Sequence, residues 1–196
     1  MPESYEVALF LHIVSVVLLA GAIMATALLL ALMRRADDVR DVRQISRIAR
    51  LADVLSPAAI IVIVLTGVWM VEDLEFDWGS GWINVSMLTI IIMGVVWPLV
   101  ITRKMSAIAD AADDQAQGAP SQVLAAQLAD PILFGTVHAS LTAILAIIWN
   151  MTTKPGDAQA GVVVLLAIVI GAGSAFPMVA RQQDILEQRP GDDATR

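Results

Sequence analysis

The chain has 196 residues, of which 58% are apolar and 16% are charged, and its formal net charge is −7. This apolar excess departs from the composition of soluble domains in the direction of membrane proteins. The acidic balance argues against a nucleic-acid partner, which would need a basic folded surface. There is no cysteine, so disulfides and thiolate metal sites are excluded.

Five apolar segments follow one another along the chain, at residues 7–33, 55–71, 83–102, 132–151 and 160–180. Each is close to the ~20 residues that a helix needs to cross ~30 Å of hydrocarbon. We therefore predict an all-α polytopic membrane protein with five transmembrane helices. The first segment follows Glu3 and Glu6 rather than a basic region, so it is predicted to be a retained span and not a signal peptide.

The basic residues are distributed unevenly about these spans. Eleven of the twelve lysines and arginines lie after span one, three or five, and only Lys154 lies in the other set of connections. Basic residues near helix ends stay in the cytoplasm, which predicts an inner or plasma membrane protein with its N-terminus outside and its C-terminus inside. Four tryptophans lie at the predicted outer ends, where indole rings prefer the headgroup layer: Trp69, Trp78, Trp82 and Trp149.

The segment 34–54 is predicted to be a basic amphipathic helix on the cytoplasmic side. Apolar residues recur every three positions from Val39 to Leu51, and a basic stripe accompanies them: Arg40, Arg43, Arg47 and Arg50. This helix either extends span two and packs on its neighbours or lies on anionic lipid headgroups. At the other end of the chain, the polar segment 182–196 is predicted to be a frayed tail.

The connection between spans three and four contains its own boundary signals. Gly118 and Pro120 predict a helix break there, and Asp130 followed by Pro131 predicts the N-cap and first position of span four. In span five, small residues around Gly171 predict the close approach of another helix, either within this chain or in a dimer.

An internal repeat accompanies the last four spans. Three landmarks recur at offsets of 77 to 80 residues: Leu-Ala-Asp at 51 and 128, Trp at 69 and 149, and Pro at 98 and 177. We predict one lead helix followed by two tandem helical hairpins. The alternative is the independent use of glycine and proline at helix ends.

Both histidines lie within predicted spans, His12 in span one and His138 in span four. An ionisable residue inside a membrane is a candidate functional residue, and imidazole is a common haem and metal ligand. Helix rise predicts depths of ~8 Å and ~20 Å below the outer face, so the two are not expected to share one haem. The alternative role is packing, with Ser15 as a hydrogen-bond partner for His12 and Thr142 for His138.

Three methionines join His12 near the predicted outer ends of different spans: Met70, Met87 and Met151. Thioether and imidazole groups bind Cu(I), and histidine with methionine can hold haem iron. The four residues are therefore a candidate metal site. Methionine as an ordinary apolar filler is the alternative interpretation.

Three short motifs resemble a group of small membrane proteins over about the first 105 residues: Leu11-His12-Ile13-Val14, Thr66-Gly67-Val68-Trp69 and Gly81-Trp82-Ile83. The group includes uncharacterised predicted integral membrane proteins, the copper-resistance CopD domain and the HemJ type of protoporphyrinogen oxidase. Resemblance to the HemJ type implies that His12 contacts haem b. The position that holds a lysine in that type is Ser86 here. The uncharacterised proteins are the most similar and imply no activity.

Three functional hypotheses follow. The first is a non-catalytic subunit or accessory protein, because no nucleophile–base pair or phosphate loop can be identified; its partners would be the bilayer and other membrane subunits or a second copy. The second is a haem- or copper-binding redox protein that uses His12. The third is a small-solute transporter, which needs a polar cavity drawing on residues such as Asn84, Ser86, Thr89, Ser140 and Thr142.

Overall fold

The structure is a computed structural model that describes residues 2–175, apart from the side chains of residues 2, 3, 51 and 52. Over this range it contains seven α-helices and one π-helix: α1 Pro2–Met33, α2 Val39–Asp73, α3 Gly81–Val96, the π-helix Trp97–Thr102, α4 Arg103–Asp114, α5 Gln122–Leu128, α6 Pro131–Thr153 and α7 Asp157–Ser174. The predicted tail at 182–196 and the end of predicted span five lie outside the described residues.

Five stretches of helix in the described chain are long and apolar enough to cross a membrane: Ser4–Met33, Val39–Asp73, Gly81–Asp114, Gln122–Thr153 and Asp157–Ser174. The prediction of an all-α protein with five spans is therefore confirmed. Large apolar side chains such as Phe10, Leu65 and Leu165 are exposed on these helices, and lipid would cover them in a bilayer. Helices suit this environment because they satisfy their backbone polar groups internally. The orientation across the membrane stays a prediction.

The bundle has two chemically different ends. The tryptophan end consists of the start of α1, the α2–α3 turn and the α6–α7 turn, and it carries Trp69, Trp78, Trp82 and Trp149. The arginine end consists of the α1–α2 turn, the first part of α2, α4, α5 and the start of α6. At the tryptophan end, the Asp157 carboxylate accepts a hydrogen bond from the Gly81 amide at 2.8 Å, which joins the start of α7 to the start of α3.

Two antiparallel helical pairs form the framework. α1 packs along α2, α6 packs along α7, and α3 contacts α2, α6 and α7. The core between them is built from large aliphatic and aromatic side chains: Leu19, Ile23, Ile60, Ile90, Phe134 and Ile144. The spanning helices follow one another along the chain in the order expected for one lead helix and two hairpins. In space, however, α1 packs mainly against α2 and is an integral part of the core.

The segment 34–54 forms no separate helix, because α2 begins at Val39 and continues without interruption to Asp73. Its inner face is buried on the α4–α5 layer, with Val42 fully enclosed. Arg43 donates to the backbone carbonyl oxygens of Ala112 at 2.7 Å and Gln115 at 2.6 Å, which end α4. Within the described chain the segment is continuous with the second spanning helix and packs on its neighbours, while contact of its basic stripe with lipid headgroups on the cytoplasmic side stays a prediction.

Helix boundaries at the arginine end follow the predicted capping residues. Gly118, between α4 and α5, adopts a φ of 102°, a left-handed conformation that favours glycine. Asp130 caps α6 because its carboxylate accepts hydrogen bonds from two amides of the first turn, and Pro131 opens the helix. The same carboxylate contacts the Lys104 ammonium, so the start of α6 is joined to α4.

Candidate functional site

A cavity with a volume of about 350 Å³ lies between α1, α2, α3 and α6, in the half of the bundle nearer the tryptophan end. Branched aliphatic side chains from all four helices make up most of its wall: Val16, Ile63, Ile83, Ile90 and Ile147. Volumes of about 300–1,000 Å³ with mostly apolar walls and few polar groups are typical of small-molecule and cofactor sites. The cavity is therefore the candidate functional site.

The cavity brings together all four residues of the predicted metal site: His12, Met70, Met87 and Met151. They come from four different helices, so only the tertiary structure could show that they share a cavity. Over residues 2–175 there is no group of three or more His, Asp or Glu side chains suited to a metal ion. A metal in this cavity would therefore depend on the thioethers, and the role of these four residues as ligands stays a prediction.

The contact of His12 with α2 favours one tautomer of its ring. Its Nδ1 lies 3.0 Å from Oγ1 of Thr66, and the Thr66 hydroxyl donates its only hydrogen to the Val62 carbonyl oxygen at 2.6 Å. Thr66 Oγ1 is therefore the acceptor for a proton on Nδ1. A neutral imidazole protonated at Nδ1 presents Nε2 as a hydrogen-bond acceptor or metal ligand. The observed partner is Thr66 and not the predicted Ser15.

Gly67 lies beside the His12 ring on α2. A Cβ atom at this position would lie 3.4 Å from Cε1 of His12 and 3.8 Å from its Nδ1, which is ordinary van der Waals contact. The dipeptide Thr66-Gly67 thus contacts the ring through both residues, and the Thr66 hydroxyl supplies its hydrogen bond. This contact gives a physical reason for the threonine of the Thr-Gly motif noted in the sequence, while the structure would accept alanine in place of Gly67.

His138 has similar chemistry but lies outside the residues that line the cavity. Its Nδ1 lies 2.9 Å from Oγ of Ser174, the last residue of α7, and Ser174 donates to the Gly171 carbonyl oxygen at 2.7 Å. The predicted partner Thr142 instead donates to the backbone carbonyl oxygen of His138 at 3.1 Å. The two histidines are thus held in different helical pairs, and only His12 faces the cavity.

Ser86 is a second polar residue of the cavity wall. It is 1% exposed, and its Oγ makes no hydrogen bond within the described chain. A buried hydroxyl without a partner costs about 1–3 kcal/mol, so a polar group of a bound ligand would be stabilised there. A signal for Ser86 was present in the sequence, because it occupies the position at which HemJ-type proteins, which the chain resembles, have a lysine.

The wall of this cavity is less polar than the wall expected for a small-solute transporter. Of the five polar residues predicted to line one, only Ser86 lies in its wall. Asn84 donates to the Trp78 carbonyl oxygen at 2.7 Å, and Thr89 donates to the Val85 carbonyl oxygen at 2.6 Å. Because its wall is apolar, the cavity suits a lipid-soluble ligand better than a polar solute.

Comparison with known proteins places the chain among membrane proteins. A family described as predicted integral membrane proteins, DUF2269, matches residues 6–155. This range covers both histidines and the whole wall of the cavity. No curated protein and no solved structure matches the chain. The expected kinship with uncharacterised integral membrane proteins is confirmed, while the resemblance to CopD and HemJ-type proteins stays a prediction.

Proposed function

The chain belongs to the DUF2269 family of predicted integral membrane proteins, and we propose a function for it from the cavity. The protein would bind haem b between α1, α2, α3 and α6, and His12 Nε2 would hold the iron. Bound haem supplies one-electron redox chemistry, while the protein contributes binding, orientation and the surrounding electrostatics.

The observation that carries this proposal is the way in which the His12 ring is held. Histidine ligands of metals usually donate their other ring N–H to a second protein group, which fixes the tautomer and the ring orientation. The contact between Nδ1 and Thr66 Oγ1 at 3.0 Å provides that second group. The ring therefore already has, without a ligand, the tautomer that iron coordination needs.

The wall of the cavity favours haem over a copper ion. Apolar side chains line most of the space of about 350 Å³, and they match the face of a porphyrin better than the charge of a bare ion. Met70, Met87 and Met151 line the same space, and a thioether opposite histidine is a known haem ligation that raises the reduction potential. One of these methionines is our candidate for the second ligand.

The first experiment is an absorption spectrum of the detergent-purified protein, oxidised and reduced, before and after addition of haemin. We expect a Soret band that shifts on reduction and that is lost in His12→Ala, because the axial ligand is gone. His138→Ala is the matched control and is expected to retain the band. A wild-type protein that shows only the spectrum of free haemin after haemin is added, or a protein-bound band that survives in His12→Ala, would overturn the proposal.

The hypothesis of a subunit or accessory role stays a prediction and is compatible with haem binding. A haem-binding subunit would co-purify with a redox partner at constant stoichiometry, and the bilayer is its other partner. No contact in the single chain bears on this point, so the spectrum is the more direct experiment.

We also propose that the tryptophan end faces outward and the arginine end faces the cytoplasm of an inner or plasma membrane. The uneven distribution of lysine and arginine supports this orientation. Since the chain has no cysteine, Gly156→Cys and Ser106→Cys give single thiols at opposite ends. An impermeant maleimide is expected to label Gly156→Cys in intact cells and Ser106→Cys only after permeabilisation. The opposite pattern would reverse the topology.

A further inference from the structure

A lysine is held over an aromatic pair at the tryptophan end of the cavity. Phe76 and Trp82 both line the cavity, and their rings meet edge to face with centroids 5.6 Å apart and an interplanar angle of 86°. The Lys154 ammonium lies 4.6 Å from the Phe76 centroid and 5.6 Å from the Trp82 centroid. A cation therefore lies at the tryptophan end of the apolar cavity.

The backbone fixes the position of this lysine. Lys154 is the C-cap of α6 and adopts φ 47° and ψ 56°, a left-handed conformation that is uncommon outside glycine and asparagine. Two residues further on, Gly156 precedes α7, whose first residue Asp157 is bonded to Gly81. A Cβ atom at Gly81 would lie 2.5 Å from Cα of Asp157, so the α6–α7 turn rests directly on the start of α3.

Two of the acidic side chains near this end are bonded to other groups. The Glu72 carboxylate accepts from the Trp78 indole at 2.7 Å, and the Asp77 carboxylate accepts from the Gly79 amide at 2.8 Å. Within the described part of the chain, no carboxylate lies within 4.0 Å of the Lys154 ammonium. Its contacts are the two rings, so its N–H donors are available to an anion.

We propose that Lys154 binds the carboxylate of an amphipathic ligand whose apolar body fills the cavity between His12 and the Phe76–Trp82 pair. The inference rests on the proposed function only in requiring that the cavity holds a ligand. The unpartnered Oγ of Ser86, buried in the same wall, independently indicates that a ligand with a polar group completes this site. Two sources share this chemistry: the propionates of haem and the carboxylate of a long-chain fatty acid.

Two variants separate the charge of Lys154 from its backbone role. Lys154→Asn removes the ammonium while keeping a residue that tolerates the left-handed conformation, and Lys154→Arg keeps a cation. Each is titrated with haemin and with haemin dimethyl ester, whose propionates are blocked. We expect Lys154→Asn to bind haemin about tenfold more weakly, because a charge-assisted hydrogen bond is lost, and to bind the ester as the wild type does. Lys154→Arg should bind haemin like the wild type.

A parallel titration uses a fluorescent long-chain fatty acid and its methyl ester. If the fatty acid binds in a Lys154-dependent manner while haemin shows only its free spectrum, the carboxylate site stands and the haem proposal fails. If haemin binds through His12 but equally well to wild type and Lys154→Asn, the carboxylate site is wrong and the haem proposal stands. Failure of both carboxylates to bind, or equal binding of acids and esters, would also overturn the inference.

Discussion

The two histidines are held by the same chemistry in two helical pairs that differ in how closely their helices approach. In the α1–α2 pair, His12 meets Thr66, whose hydroxyl is bonded to a carbonyl of its own helix. In the α6–α7 pair, His138 meets Ser174, whose hydroxyl is bonded in the same way. Because each hydroxyl is also bonded to a backbone carbonyl oxygen, both arrangements favour a proton on Nδ1 of the ring.

The glycines beside the two histidines show how the two helical pairs differ. A Cβ atom at Gly67 would stay 3.4 Å from the His12 ring, whereas one at Gly171 would lie 2.6 Å from the His138 carbonyl oxygen and 2.8 Å from Cα of Ala139. The first glycine faces a side chain at the cavity, where a methyl group would be tolerated. The second faces backbone and lets α6 and α7 touch. A histidine in a membrane span is therefore a binding candidate only where the neighbouring helix leaves room.

Among the variants that test this comparison, Gly171→Ala is expected to have the largest effect on the stability of the protein. The added methyl group would meet the backbone of α6, which cannot move away without separating the two helices, so we expect a loss of about 2 kcal/mol in unfolding free energy. Thermal unfolding in detergent measures it. Gly173→Ala on the same helix is the matched control, because no atom lies within 4 Å of a Cβ there. If the two variants are equally stable, α6 and α7 do not approach each other at Gly171 as closely as the structure shows.

The five spans could be predicted from the sequence because they depend on local quantities, namely the length of each apolar run and the residues that cap it. Asp130 with Pro131 marked the start of α6, and Gly118 marked a break between helices. The limits of α2 were harder to predict. Pro57 lies inside this helix, and tertiary contacts of Arg43 with the end of α4 hold its first part in place.

The candidate site was only partly predictable for a different reason. The sequence predicted hydrogen-bond partners within about one helical turn of each histidine. The observed partners are 54 residues from His12 and 36 residues from His138 along the chain. Such contacts depend on the rotation of one helix against another, which periodicity alone does not determine. The four predicted residues His12, Met70, Met87 and Met151 do share a cavity, because each was placed near the same end of its span.

Removing the hydroxyl partner of each histidine tests the same comparison, and we expect a smaller effect than that of Gly171→Ala. Thr66→Val keeps the shape of the side chain but takes away the acceptor for His12 Nδ1–H, so the ring loses its fixed orientation and haem affinity should fall about tenfold, at the lower end for groups that orient metal ligands. Thr66→Ser keeps the hydroxyl and should bind haem like the wild type.

Ser174→Ala removes the equivalent partner of His138 and should leave haem affinity unchanged. We expect it to lower the unfolding free energy by about 0.6 kcal/mol, which is typical of hydrogen bonds between membrane helices. Equal haem affinities in Thr66→Val and Ser174→Ala would mean that the two histidine pairs have the same structural role and that the haem ligand lies elsewhere.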